Sequence, residues 1–369
     1  MEALRTIVAV LGGLIVLGTS ASLLRSLVTP GLGAGTFVGA LDSILDMATR
    51  GFTSRWNSPR ARQLIRSRQG PFLLVLMLWS WMGSYLVGYA LLLWPWCSGL
   101  GQAFRQSGSS LVTLGIAASP APGSTVLDVL AGITGLIVVA LQIAYLPTLY
   151  AAFNRREIEV SLVALRAGRP AWGPELLART HYALGTDTST LNTLPDLYAQ
   201  WERWAADVAE SHTTYLPLVR FRSPQALSSW VTALLAVLDS AALFLALSPK
   251  AAPEVPARLC IRSGFLCFNR IARAMGIDIP DEADPEAGIS LTYGEFLEAV
   301  TRMREVDFPI EREPAQAWTD FIGWRVNYER AAYAVAAAIY AVPAKWSGPR
   351  RHPTPEIAPI RPPLGRPPK

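Results

Sequence analysis

Apolar residues follow two patterns along this chain. In the first half they form long runs that charge scarcely interrupts, and beyond Gly173 they recur at helical spacing between Pro, Gly and charged turns. Thr6 to Val28 is apolar apart from Ser, Thr and Arg25, long enough to cross about 30 Å of hydrocarbon at about 1.5 Å per residue. A signal peptide is the alternative, but its positive region would be Arg5 alone, opposed by Glu2. From Thr36 to Gln69 the residues Phe37, Leu41, Ile44, Leu45, Met47 and Ala48 keep helical spacing ahead of Arg50, Arg55, Arg60, Arg62, Arg66 and Arg68. That pattern predicts an amphipathic helix at a membrane surface. Phe72 to Trp96 carries no charge and contains Trp79, Trp81, Trp94 and Trp96, which predicts a transmembrane helix with an interfacial tryptophan end. A second span runs from Val126 to Tyr150, interrupted by Asp128 and Gln142.

Past Gly173 the predicted helices are Leu191 to His212, Gln225 to Leu247, Glu254 to Met275, Tyr293 to Glu305 and Pro314 to Val342. Trp230 to Leu247 is apolar enough to suggest another span, but Asp239 at its centre is costly in lipid. We read it as the buried central helix of a soluble helical domain. Ala331 to Ala341 is too short to span alone. The acidic loop of Asp278, Asp281, Glu282, Asp284 and Glu286 lacks calcium-loop spacing and predicts a solvated turn. Trp346 to Lys369, rich in Pro and Arg, predicts a disordered tail.

Composition sharpens this picture. A hydrophobic content of 51% and a mean hydropathy of +0.28 exceed those of an ordinary soluble protein of 369 residues. The net charge of +5 arises from arginines clustered beside apolar segments, which follows membrane topology rather than nucleic-acid binding. Arg50 to Arg68 before one span and Arg155, Arg156, Arg166 and Arg169 after the next put both outer ends on the cytoplasmic side. Cys97, Cys260 and Cys267 make no disulfide framework, and with His181, His212 and His352 they form no zinc pattern. Gly31 to Gly35 follows no predicted strand and so is a surface loop rather than a dinucleotide fingerprint. No nucleotide loop, metal set or nucleophile elbow is present, so no enzyme, cofactor or resident metal is expected.

Between the two spans lies Phe-Arg-Gln-Ser-Gly-Ser-Ser-Leu-Val-Thr-Leu-Gly-Ile-Ala-Ala, residues Phe104 to Ala118. This stretch with its flanking helices, Pro71 to Tyr150, resembles the bacterial pore-loop channels of the potassium-channel type, whose signature Thr-Val-Gly-Tyr-Gly aligns with Thr113, Leu114, Gly115, Ile116 and Ala117. Thr113 and Gly115 match the signature, and Leu114 is conservative. Ile116 and Ala117 depart from it, and an alanine forced to positive φ would cost about 1 to 2 kcal/mol. The resemblance implies a short pore helix over Ala103 to Val112, tied to its surroundings by Ser109 and Ser110. It further implies a filter at Thr113 to Ala117 that conducts a monovalent cation, potassium by family, through a homotetramer in the cell membrane. Gly132 and Gly135 are then hinge candidates for gating, or close-packing glycines. Asp128 at the outer end of the same helix raises the local cation concentration, hydrogen-bonds to the loop, or is a solvated helix end.

The expected fold is therefore an all-α membrane protein: an N-terminal transmembrane helix (1–30), an amphipathic linker (31–70), a helix, pore loop and helix module (71–156), a cytoplasmic helical domain (157–345) and a tail (346–369). The rival is a non-conducting membrane protein with a degenerate loop, whose helical domain binds a partner.

Overall fold

The computed structural model describes residues 2–27, 36–54, 69–117, 121–182, 188–225, 227–280 and 288–350. The described residues are all-helical and contain no strand. The arginine run 55–68, the glycines 31–35, the acidic loop 281–287 and the tail 351–369 lie outside them. Four helices are long and apolar enough to cross a membrane. The chain divides into two units, residues 1–153 with His212–Phe221 and residues 154–211 with 222–369.

In the first unit, α1 (Glu2–Leu27), α2 (Thr36–Ser54), α3 (Gln69–Leu93), α4 (Leu100–Leu111) and the start of α5 (Pro122–Ala167) correspond to the runs read above. The crossing of α1 with α3 is close because both carry glycine there. A Cβ on Gly12 would stand 2.6 Å from the Gly88 carbonyl oxygen and 2.8 Å from the Leu92 nitrogen. Backbones in such contact gain dispersion energy that lipid cannot supply. Polar bonds fix the register: the Ser20 and Tyr85 hydroxyls lie 2.9 Å apart, and Trp81 Nε1 donates to Ser22 Oγ. A second cluster joins Leu74, Tyr145, Leu149 and Ala152 to Leu218 and Phe221, the returning segment of this unit.

Helix α5 is 46 residues long and continuous through Pro147, where the sequence predicted a helix ending at Tyr150. Its buried positions from Ala131 to Ala152 (Ala131, Gly135, Val138, Gln142, Tyr145, Leu149, Ala152) alternate steps of four and three. Such spacing keeps one seam facing its neighbours, as in coiled coils.

The second unit is built around α9 (Trp230–Leu247), all 18 residues of which are buried. Every side of this helix is covered by protein, which agrees with its reading as a domain core. Around it stand α6 (Gly173–Tyr182), α7 (Leu194–Thr214, up to Ser211), α10 (Glu254–Ala274), α11 (Tyr293–Arg304), α12 (Pro314–Arg325) and α13 (Glu329–Ala338). The remaining helix, α8 (Pro217–Arg220), belongs to the first unit. Helix α6 was not predicted. Thr292 and Glu295 close α11 with a reciprocal capping box.

The expected single helix from Pro314 to Val342 is broken after Arg325. The break brings Arg325, Tyr328 and Glu329 to the Asp239 side chain inside the core. Arg325 pairs with Asp239, its Nε donates to Glu329 Oε2 at 2.6 Å, and its Nη2 donates to the Trp346 carbonyl at 2.6 Å. The Tyr328 hydroxyl also donates to Asp239, at 2.9 Å. Burial, opposed by Arg325 and reinforced by the nearby Glu329 charge, raises the Asp239 pKa to about 6. The same contacts correct the tail: Trp346 is buried, and Ser347 caps the Ala344 amide, so order persists past residue 345. Arg156, counted above in the basic flank, is fully buried, pairs with Glu157 and lies over the Trp230 ring.

Candidate functional site

The site is the hairpin formed by α4 and the segment that follows it. Helix α4 begins at Leu100 rather than Ala103 and stops at Leu111. Ala103, Gln106, Ser107, Ser109 and Leu111 are buried in the chain, and Ser107 Oγ donates to the Leu86 carbonyl of α3 at 2.9 Å. A twelve-residue helix with so much Gly and Ser has little helical stability of its own, so these docking contacts hold it in place.

Gly135 and Gly132 act in that docking. A Cβ at Gly135 would lie 1.8 Å from the Leu111 carbonyl oxygen, and one at Gly132 would lie 3.3 Å from that of Ser110. Both residues therefore sit where the C-terminal end of α4 meets α5, in the close-packing role of glycine. Asp128 is not a solvated helix end. Its two carboxylate oxygens accept from Gln106 Nε2 and Ser110 Oγ, each at 2.7 Å. Gln106 in turn accepts from the Cys97 thiol at 3.4 Å. Gln106 was not singled out from sequence, although it stands four residues from Ser110, on the same helix face.

Past Leu111 the chain turns at Val112 and Thr113 and runs back through Leu114 to Ala117 without regular structure. Ser109 organises this return. Its carbonyl accepts from Leu114 N at 2.8 Å and from Gly115 N at 3.5 Å, and its hydroxyl oxygen accepts from Ile116 N at 2.8 Å and from Ala117 N at 3.0 Å. In a trans peptide the N–H and the preceding C=O point in opposite directions. Four N–H groups converging on Ser109 therefore turn the carbonyls of Thr113, Leu114, Gly115 and Ile116 away from α4.

This return is not a uniform strand. Thr113 has φ 55° and Gly115 φ 67°, while Leu114 and Ile116 stay out of the left-handed region. Ala117, expected to be strained, does not have a positive φ. The strained residue is Thr113, at about 1 to 2 kcal/mol for a side chain in that region. Leu114 and Ile116 project as exposed apolar side chains, 62% and 64% accessible in the single chain.

Comparison with family models, with curated proteins and with solved structures found no match. The fold itself defines a class, an all-helical chain with several helices of membrane-crossing length and composition.

Proposed function

We propose that this protein is a passive cation channel in which Thr113 to Ala117 of several copies surround one ion path. The observation that carries this reading is the convergence of four loop amides on Ser109, which leaves four consecutive carbonyls directed away from α4. Carbonyl oxygens in a ring can replace the hydration shell of a monovalent cation. One chain supplies one such row, so enclosure of an ion calls for a ring of copies, four by family resemblance. The exposed Leu114 and Ile116 side chains would then be covered by neighbouring subunits. In this reading Ser109, Ser110, Gln106 and Asp128 hold the loop, and Gly132 and Gly135 seat it on α5.

Purified protein in liposomes should pass monovalent cations, and Gly115→Asp should abolish the flux while leaving assembly unchanged. Open space surrounds Gly115 within one chain, and although a side chain at its left-handed φ is strained, aspartate visits that region more readily than most residues, so assembly measured on the same samples separates loss of the path from loss of the fold. Absence of flux from the unmodified protein at any voltage or pH would favour the non-conducting, partner-binding reading.

A further inference from the structure

Helices α11 and α12 of the second unit pack through a cluster of rings that reaches the surface at one edge. Phe296 is buried at its base, and the Tyr293 and Trp318 rings lie against it with centroids 6.2 and 5.1 Å away. Those two rings meet each other at 5.6 Å with their planes 55° apart. Tyr293 is 39% accessible, Trp318 is half-buried, and Leu297, one turn on from Tyr293, is 37% accessible. The sequence around this edge is one-sided in charge. From Ala274 to Thr301 it holds seven acids, among them Glu295 and Glu298, and no Lys, Arg or His. The bases nearest to it are accounted for. Lys345 lies 3.5 Å from Glu298 in an exposed pair of little worth, Arg302 is held by Glu175 and Glu305, Arg312 pairs with Asp320, and Arg304 stands two turns beyond Leu297.

Residues 351–369, outside the described part of the chain, have the opposite character. They contain seven prolines, including the run Pro359-Ile360-Arg361-Pro362-Pro363, and they set Arg351, Arg361, Arg366 and Lys369 against Glu356, a net +3. The described chain leads into this segment from beside the ring cluster. Ring contacts of 5.6, 5.3 and 6.2 Å run from Trp346 through Phe321 and Phe296 to Tyr293. The twelve residues from Arg350 to Pro362 can extend about 37 Å, enough to lay the proline run on that edge.

We infer that the Pro/Arg segment 351–369 docks in cis on the edge formed by Tyr293, Leu297 and Trp318, its prolines against the two rings and its arginines toward the acids of 278–298. Proline fixes φ before binding, so such a segment loses little entropy on docking, and an aromatic-lined surface is the kind it fits. Two observations select this occupant over a foreign partner. The segment and the stretch around the edge carry opposite charge, which favours their encounter. The segment is also tethered beside the edge, at an effective concentration near about 1 mM, so even a weak contact is populated. The inference stands on the second unit alone and not on conduction.

The test uses the full chain in nanodiscs with a spin label on Gly365→Cys. The three native cysteines are buried, and labelling of the unmodified chain gives the background. The label should be immobilised. Pro362→Gly with Pro363→Gly, a change outside the helical unit, should weaken docking about tenfold and free the label. Tyr293→Ser with Leu297→Ser should free it from the other side, with thermal melting to show that the unit still folds; if it does not, the proline pair decides. A synthetic peptide of residues 355–369 should displace the label only near about 1 mM, as a tether implies. Labelled chains are also coassembled with a large excess of unlabelled chains carrying Tyr293→Ser and Leu297→Ser, and the label should stay immobilised. Release in that mixture means that the segment binds another copy, which overturns docking in cis. A mobile label in the otherwise unmodified chain overturns the inference, as does immobilisation that survives the proline pair or the Tyr293 and Leu297 pair. Flux is measured on the same samples. Conduction with a mobile label sinks this inference alone, and a docked label without conduction sinks the channel reading alone.

Discussion

Ser109 concentrates more of the candidate site in one residue than any other position of the hairpin. Its hydroxyl accepts from two amides and its carbonyl from two more. Ser109→Ala removes the acceptor for Ile116 and Ala117, and each such hydrogen bond contributes about 0.5 to 1.5 kcal/mol. We expect the variant to assemble but to lose or degrade conduction, measured as flux per particle, while Ser98→Ala, on the exposed side of the preceding turn, leaves it unchanged. In the second unit Asp239 makes a pH prediction. Its pKa is raised to about 6 in the folded chain, mainly by burial, above the ordinary aspartate value of about 4. The folded state therefore takes up the proton more readily than the unfolded one, so this group's contribution is fully present below about pH 4 and is lost as pH rises through about 6. Thermal unfolding of the second unit, compared with Asp239→Asn, should show the unmodified chain gaining relative stability as pH falls from 7 to 4, by at most about 3 kcal/mol. A difference that stays flat over that range would place the titration elsewhere. Breaking the pair from the other side, Arg325→Met, strands Asp239 and should cost about 3 to 5 kcal/mol.

At the scale of elements, the α1 and α3 crossing depends on a single close approach. Gly12→Val pushes a side chain into the Gly88 carbonyl, so α1 should separate and the melting temperature in detergent should fall by several degrees, as about 1 to 3 kcal/mol of overpacking implies. Gly18→Val, with nothing within 4 Å of the added atom, should leave it unchanged. The long apolar runs declared α1, α3 and α5 in the sequence because lipid-length hydrophobicity is a local property. The helix predicted from Tyr293 is α11, and the capping box of Thr292 and Glu295 that fixes its start is likewise local, since it is written in four consecutive residues. The break after Arg325 was hidden, because Arg325, Tyr328 and Glu329 all suit a helix and the break serves a carboxylate 86 residues away in the chain. Likewise α6 has too few apolar residues at regular spacing to announce itself, and it forms by packing Leu176 and Leu177 into the second unit. The irregular return between α4 and α5 was legible in its Gly- and Ser-rich sequence, but the convergence on Ser109 was not, because no sequence pattern states which way a peptide plane turns.

For the whole molecule, the channel reading predicts particles of about four chains in nanodiscs, measured by mass, since a lone carbonyl row encloses nothing. It also predicts opposite faces for exposed cysteines placed at Gly101 and at Glu298, by labelling with a membrane-impermeant reagent. A persistent monomer would end the channel reading, and labelling of both positions from one side would end the topology.

The segment His212–Phe221, which returns to the first unit after a long excursion through the second, imposes an order on biosynthesis. When Ala167 leaves the ribosome the apolar runs of the first unit already exist, yet Leu74, Tyr145 and Leu149 still lack the Leu218 and Phe221 side chains that cover them. The first unit cannot mature on its own schedule. It has to wait, with an unfinished seam, until more than half of the chain has been translated.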